Sequence, residues 1–242
     1  MQTAFQAQQY AISYPDGVQR HYWHLARNRL INRVLRMHGA SPSALTLDIG
    51  CGRGIAVDFL CEHGWNAIGC DTGRPAPITP SVGSRLHVET DAFVLDESVR
   101  QKVETLLLLD VLEHLEDPAG FLNRCRTAFP RCTLLLVTVP ARPELWSNYD
   151  EFYGHHCRYT PTTLSGLAGT DMALLSLGYF FHLLYVPALL LRLLQMKREV
   201  SMPAPKLPLL HRCLAAFFGA EQCLLPACVP GSSLYAVFRP TR

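Results

Sequence analysis

Three glycines at alternate positions, Gly50, Gly52 and Gly54, follow a carboxylate, Asp48, and precede an apolar stretch. Further on, Asp71, Asp91 and Asp110 each close a short apolar run. Glycines let the backbone turn tightly and approach a ligand without a Cβ in the way. Carboxylates beside such a turn suit a cation and ligand hydroxyls, and they repel phosphate charge. A dinucleotide fingerprint would read Gly-x-Gly-x-x-Gly, a spacing this turn lacks. Asp71 lies about 20 residues past Gly50, the offset at which an acid can accept both hydroxyls of a ribose. A second reactive group comprises His114 and the stretch 140–160, which holds Trp146, Tyr149, His155, His156, Arg158 and Tyr159. His114 is the first candidate for a general base. His155 and His156 come next, on a long aromatic loop that could close over a site.

These residues need elements to position them. Leu45, Leu47 and Ile49 predict a strand ending at the glycines, and Ile55, Ala56, Phe59 and Leu60 follow at helical spacing. Trp65–Cys70, Leu86–Thr90, Thr105–Leu109 and Thr133–Thr138 read as four further strands. The run 105–109 is wholly apolar, as a central parallel strand covered on both faces would be. Asp117 and Pro118 are an N-cap and a first helical residue, and Phe121, Leu122, Cys125 and Phe129 form the buried stripe that follows. The order β-α-β-β-β-α-β implies a parallel sheet with all four aspartates at strand carboxyl ends, where such sheets bind ligands. A helix over 18–38 carries Tyr22, Trp23, Ala26, Leu30, Val34 and Leu35 on one face, with Arg20, Arg27, Arg29, Arg33 and Arg36 mostly off it. Residues 1–16 read as a lead-in with a turn at Pro15–Gly17, and 73–84 as a loop.

The stretch 44–54 resembles motif I of the class I S-adenosylmethionine-dependent methyltransferases. Asp110-Val-Leu-Glu113-His114 and the Trp146-Ser … Gly154-His155-x-x-Arg158-Tyr159-Thr160 segment resemble the small-molecule type 11/12 members, over roughly residues 20–180. Cys157 departs from the pattern, which prefers arginine there and so leaves Arg158 alone. The resemblance implies an α/β fold: a Rossmann-like, doubly wound, seven-stranded, mostly parallel sheet with helices on both faces. It implies S-adenosylmethionine as cofactor, with S-adenosylhomocysteine as product. Cofactor contacts would come from Asp48, Gly50, Cys51, Gly52, Gly54, Asp71, Thr72, Asp91, Ala92, Asp110 and Val111, with Asp91 facing the adenine amino group unless it serves as a helix cap or Asx turn. His114 and His155 would be catalytic, and Trp146, Tyr149, His156, Arg158 and Tyr159 would meet the acceptor; packing roles for these residues stay open. Methyl transfer is an in-line displacement, so the protein mainly positions the nucleophile, and a base is needed only where the acceptor loses a proton early.

At 242 residues, 49% hydrophobic and 17% charged, the chain supports one α/β domain with additions rather than disorder. A net charge of +2 without a basic stripe argues against nucleic acid, as does the lack of an Asn/Asp-Pro-Pro-aromatic motif after the fourth strand. Nine cysteines form no Cys-x-x-Cys, so neither a thiolate zinc site nor a redox motif is indicated and no metal is expected. Met1–Gln9 is polar and uncharged, unlike a secretory signal, which predicts reduced thiols in a cytoplasm. The expected organisation is a helical cap over 1–42, a cofactor-binding core over 43–180, an apolar helical insertion over 181–231 and the last strand over 232–242. Met172–Tyr179 and Ser233–Phe238 are the sixth and seventh strands. Between them, Phe180–Leu194, interrupted by Pro187, is too short to span a membrane, which takes about 20 apolar residues. It and a second helix, Leu209–Leu225, read as cleft-wall helices, a homodimer face, or an interfacial patch reaching a lipid-linked substrate. A methyltransferase acting on a small-molecule, glycan or lipid-linked acceptor is the leading function. A non-catalytic cofactor-binding partner subunit is the alternative, and a nicotinamide dehydrogenase is disfavoured by the glycine spacing and Asp48.

Overall fold

The computed structural model describes Tyr10 and residues 12–241. Its centre is a seven-stranded sheet: β1 (Leu45–Ile49), β2 (Ala67–Cys70), β3 (Leu86–His87), β4 (Val103–Leu109), β5 (Leu134–Pro140), β6 (Met172–Phe180) and β7 (Ser233–Pro240). The spatial order is β3-β2-β1-β4-β5-β7-β6. Strands β1 to β5 run parallel, and β7 lies antiparallel between β5 and β6. This is the Rossmann-like α/β arrangement, and its order reverses direction between β1 and β4. Register pairs Ile49 with Cys70 and Leu108, and Leu109 with Thr138, so the carboxyl ends of four strands meet at one edge.

Alternate residues of β4 serve opposite faces, as a pleated strand requires. Leu106 and Leu108 belong to one apolar layer with Phe121, Leu122 and Cys125 of α4 (Pro118–Ala128) and Leu164 of α6 (Pro161–Gly166). Leu107 and Leu109 belong to the other, with Ala26, Leu30, Ile31 and Val34 of α1 (Tyr22–Met37), Ala56, Val57 and Leu60 of α2 (Ile55–Glu62), and Ala215 and Phe218 of α8 (Pro208–Leu224). The second helix of the segment 181–231 is thus a layer of the fold. Tyr22 stacks on Phe218 with ring centroids 5.4 Å apart. By contrast α7 (Tyr185–Leu193) buries no residue. Pro187 falls in the first turn of the helix, where the backbone N–H would have no intrahelical partner, so it does not break the helix.

Several local expectations change. The helix expected over 18–38 is a 3-10 turn, Val18–Arg20, followed by α1, because His21 is extended and caps α1 by accepting the Trp23 N–H at Nδ1. Arg27 is not off the buried face; it is buried together with His24 and Asn28. The third strand is only two residues long, since Glu89 takes a positive φ of 53° and leaves the extended region. Residues 80–85 form a 3-10 helix within the expected loop. A short helix α3 (Glu97–Arg100), capped by Asp96, precedes β4. The stretch 140–160 is no plain loop: it holds a 3-10 turn, Pro143–Leu145, and α5 (Asn148–Tyr153). Of the lead-in, residues 1–9 and 11 lie outside the described residues; the turn at Pro15 closes through Val18 N–H to the Pro15 carbonyl, 3.1 Å. Among the described residues no helix is long and apolar enough to cross a membrane.

Candidate active site

The glycine turn is built from left-handed backbone. Gly50 has φ 77°, and a Cβ there would come within 2.8 Å of the Val111 side chain. Gly54, φ 79°, starts α2 and is pressed against Leu86 in the same way. No L side chain fits either place without strain. Asp71 knits the turn to β2: its Oδ2 accepts the Gly52 N–H at 2.8 Å, and its Oδ1 accepts the Gly73 N–H at 2.7 Å. Oδ1 also accepts the hydroxyl of Tyr10 at 2.6 Å.

Asp48 lies beneath this turn, 2% exposed, and its Oδ1 has no hydrogen-bond partner. Burial pushes its carboxyl up to about 7; Arg27 opposes this, and the Asp71 and Asp110 charges reinforce it. Asp110 follows β4 with φ 58°, a conformation that turns the chain abruptly at the sheet edge. It is ion-paired with Arg27 and accepts the Thr138 hydroxyl at 3.4 Å. Arg27 itself packs over Trp23, 4.6 Å from the ring centroid. The carboxylate rim therefore carries its own internal cation, supplied by the N-terminal helix.

The histidines gather on the other side of Asp110. His114 and His155 approach edge to face with centroids 4.8 Å apart. Burial, then the neighbouring His155 and His156, lower the His114 imidazole to about 4, so it is neutral at pH 7. His155 Nδ1 meets Asp150 Oδ1 at 2.9 Å, and Arg158 Nε donates to the same oxygen at 2.8 Å. Burial alone would raise the Asp150 carboxyl; the His155 and Arg158 partners override it and hold it near 2. Arg158 also donates to the Ala141 carbonyl at 3.0 Å, and the His156 N–H donates to the Glu113 carbonyl at 2.7 Å. The stretch 140–160 is thereby stitched onto the turn after β4.

One cavity of about 720 Å³ spans both groups. Gly50, Gly52, Asp71, Thr72, Asp110 and Val111 face it at one end, and His114, Tyr149, His155, His156 and Arg158 at the other. Asp48, Cys51, Gly54 and Ala92 stand outside its wall, and so do Trp146 and Tyr159. Tyr159 is buried and donates its hydroxyl to the Leu112 carbonyl at 3.1 Å. Asp91 also lies outside; it caps the 3-10 turn Ala92–Val94 by accepting the Phe93 N–H at 2.9 Å. Among the lining residues given no site role from the sequence are Tyr10, Tyr14, Arg27 and Glu113. Helical spacing puts the arginines mostly off the apolar face; the ion pair with Asp110 and packing over Trp23 account for the burial of Arg27.

Residues 22–170 match the model of a methyltransferase-domain family. A ubiquinone biosynthesis O-methyltransferase of Hahella chejuensis is 30% identical over 116 residues, 43% of this chain and 47% of that protein. The enzyme of the same description from Pseudomonas aeruginosa strain UCBPP-PA14 is 29% identical over 111 residues, 41% and 46% of the two chains. This chain thus matches about half the length of these curated relatives. The plantazolicin methyltransferase BpumL, solved with a triazolic desmethylPZN analogue and S-adenosylhomocysteine, superposes with a TM-score of 0.57 at 13% identity, covering 98% of this chain and 90% of its own. The 1,6-didemethyltoxoflavin-N1-methyltransferase of Burkholderia thailandensis, solved with bound 1,6-didemethyltoxoflavin and S-adenosylhomocysteine, gives 0.54 at 16% identity, covering 89% and 78%. At these identities the structural likeness shows a shared fold.

Proposed function

The chain belongs to the methyltransferase-domain family, and on that premise we propose that it uses S-adenosylmethionine to methylate a hydroxyl of a small-molecule or lipid-linked acceptor. One observation carries the reading: a single cavity joins the glycine and carboxylate rim to the histidine group. The rim suits this cofactor. Its acids would repel a pyrophosphate, the buried Oδ1 of Asp48 lacks a partner, and the turn at Gly50 leaves no room for a Cβ. Asp71 already accepts a hydroxyl, that of Tyr10, and would accept ribose hydroxyls by the same chemistry. Bound there, the cofactor supplies an electrophilic methyl on a sulfonium whose departure yields a neutral thioether.

The remaining tasks fall to the chain. His114, neutral at pH 7, can take the proton of an acceptor hydroxyl, and its low basicity favours an acidic hydroxyl such as a phenol. His155 is oriented by Asp150, and Tyr149, His156 and Arg158 form the wall that would hold the acceptor in line. Cys51, Gly54, Asp91 and Ala92 support the cofactor end from behind, and Trp146 and Tyr159 brace the acceptor end. A hydroxyl acceptor is supported by the O-methyltransferase relatives. The test is release of S-adenosylhomocysteine on incubation with phenols, catechols and polyprenylated phenols. Acceptor-dependent release is expected; cofactor binding without release for any acceptor would favour the non-catalytic partner subunit.

The lipid-linked class is supported by α7, whose Val186, Leu190 and Leu193 are more than half exposed, as is Leu194 just beyond it. Pro187, Ala188 and Leu191 of the same helix line the cavity, so this face connects surface to site. We read it as a peripheral contact with membrane lipid at a cytoplasmic surface, a compartment consistent with nine free thiols. Co-sedimentation with anionic vesicles, weakened by Leu190→Ser/Leu193→Ser, is expected. A concentration-dependent dimer that these changes dissolve would assign the face to a second copy instead.

A further inference from the structure

The acceptor half of the cavity carries a cation that the fold does not pair. Three arginines line the cavity: Arg27, Arg158 and Arg198. Arg27 is ion-paired with Asp110, and Arg158 with Asp150. Arg198 is half-buried, and its guanidinium lies over the Tyr149 ring, 4.9 Å from the centroid. Among the described residues no carboxylate pairs with it. The acids that share this end are otherwise engaged. Asp150 is committed to Arg158 and His155. Glu113 is 1% exposed, and burial pushes its carboxyl well up, which favours the neutral form. Glu199 accepts the Ser201 hydroxyl at 2.7 Å. Burial, then the Arg158 charge, lower the Arg198 guanidinium below its ordinary value. An unpaired charge held in such a place is costly, and an anion arriving beside it relieves the cost.

The arginine is also held in position. It opens the segment 198–203, every residue of which lines the cavity just beyond α7. The side-chain amide of Asn148 grips its backbone twice, accepting the Arg198 N–H at 2.9 Å and donating to the Arg198 carbonyl at 3.0 Å. Two residues on, the Val200 carbonyl accepts the Tyr153 hydroxyl at 2.5 Å, and that hydroxyl in turn accepts from Ser13 at 2.9 Å. Asn148, Tyr149 and Tyr153 all belong to α5, whose first turn is fixed by the capping box of Ser147 and Asp150. The wall contributed by α7 and the turn before it is apolar: Leu184, Pro187, Ala188 and Leu191. A guanidinium presents a planar fork that donates two parallel N–H bonds to a carboxylate or a phosphate. Set in the same cavity as an apolar wall, it matches an acid carried on an apolar body.

We propose that Arg198 anchors an oxyanion of the acceptor, a carboxylate or a phosphate monoester, so that the substrate class is an acidic molecule with an apolar body. Calling that molecule the acceptor rests on the methyl-transfer reading, whereas the binding of an anion at Arg198 does not.

The probes are benzoate, phenyl phosphate and neutral benzyl alcohol, titrated by calorimetry into the full chain with and without S-adenosylhomocysteine. At least one anion should bind at least roughly tenfold more tightly than the alcohol, and the tighter of the two identifies the oxyanion. Arg198→Gln should erase the preference and Arg198→Lys should keep part of it. Asn148→Ala, which frees the segment that carries the arginine, should weaken it. Arg192→Gln, at an exposed position of α7, should leave it unchanged. Circular dichroism establishes that each variant is folded. Equal binding of anions and alcohol, no binding of either anion at millimolar concentration, or a preference that Arg198→Gln leaves intact overturns the proposal. So does a loss of S-adenosylhomocysteine affinity in Arg198→Gln as large as the loss for the anion, which would assign the residue to the cofactor. Anion binding through Arg198 without methyl transfer to any acceptor would sink the functional reading and leave this site standing. Methyl transfer to neutral phenols with no anion preference would do the reverse.

Discussion

Replacing Asp48 by asparagine should move stability and cofactor affinity in opposite directions. The carboxyl sits at about 7 instead of its ordinary 3.8, through burial first and then through the charges of Asp71 and Asp110, with Arg27 opposing. A folded-state pKa above the unfolded one means the unfolded chain releases this proton first. Stability from this group is therefore intact below about pH 4 and declines as pH climbs toward 7. The difference corresponds to about 4 kcal/mol by pH 8, at 1.36 kcal/mol for each factor of ten. Asparagine cannot ionise and escapes that penalty. Its amide hydrogens enter a place where the carboxylate already leaves one oxygen unpartnered, and unsatisfied donors cost about 1–3 kcal/mol. The expected net is a gain of roughly 1–3 kcal/mol at pH 8 and a loss of roughly 1–3 kcal/mol at pH 4, where the ionisation penalty is gone and the amide cost remains, read by urea denaturation at both pH values. Affinity for S-adenosylhomocysteine should fall in the same protein, because the buried charge beneath the glycine turn is lost. A variant less stable than its parent at pH 8 would refute the reasoning, because it would mean the ionised carboxylate is already satisfied within the fold.

Two further outcomes follow from the histidine side. His114→Ala should lower turnover far more than cofactor affinity; equal losses in both would assign His114 to packing. The Asp150 carboxyl, held near 2 against burial by His155 and Arg158, contributes stability that is present above about pH 4 and is lost as pH falls toward 2. Asp150→Asn should therefore cost about 2 kcal/mol at pH 7 and lose less between pH 4 and pH 2 than the parent does. Parallel acid-denaturation curves for the two proteins would contradict it.

The parts of the site that could be read from the sequence are those whose signals are local. A glycine turn after an apolar run, and an aspartate closing each of several strands, are visible within a few residues. The sheet then brings Asp71 and Asp110 to one edge through register alone. The parts that could not be read depend on which distant segment folds over that edge. Arg27 looked like a surface residue because helical spacing reports the majority face, and its partner lies 83 residues away. Glu113 and His155 become neighbours only when α5 and its flanks settle onto the turn after β4. One local signal was present and passed over: Ser147 and Asp150 form a capping box, which marks the start of α5. Asp91 shows the opposite difficulty, since a strand-end aspartate and a helix cap look alike until the backbone is seen.

The central claim is that carboxylates at the sheet edge hold the nucleoside of S-adenosylmethionine, a part its product S-adenosylhomocysteine shares. Isothermal titration calorimetry with S-adenosylhomocysteine tests it most directly. One molecule should bind per chain, NAD should not bind, and Asp71→Ala should weaken S-adenosylhomocysteine by about 1–3 kcal/mol, the range for leaving a hydrogen-bonding group without its partner. Heat of binding from NAD, or an affinity for S-adenosylhomocysteine that Asp71→Ala leaves untouched, would contradict it.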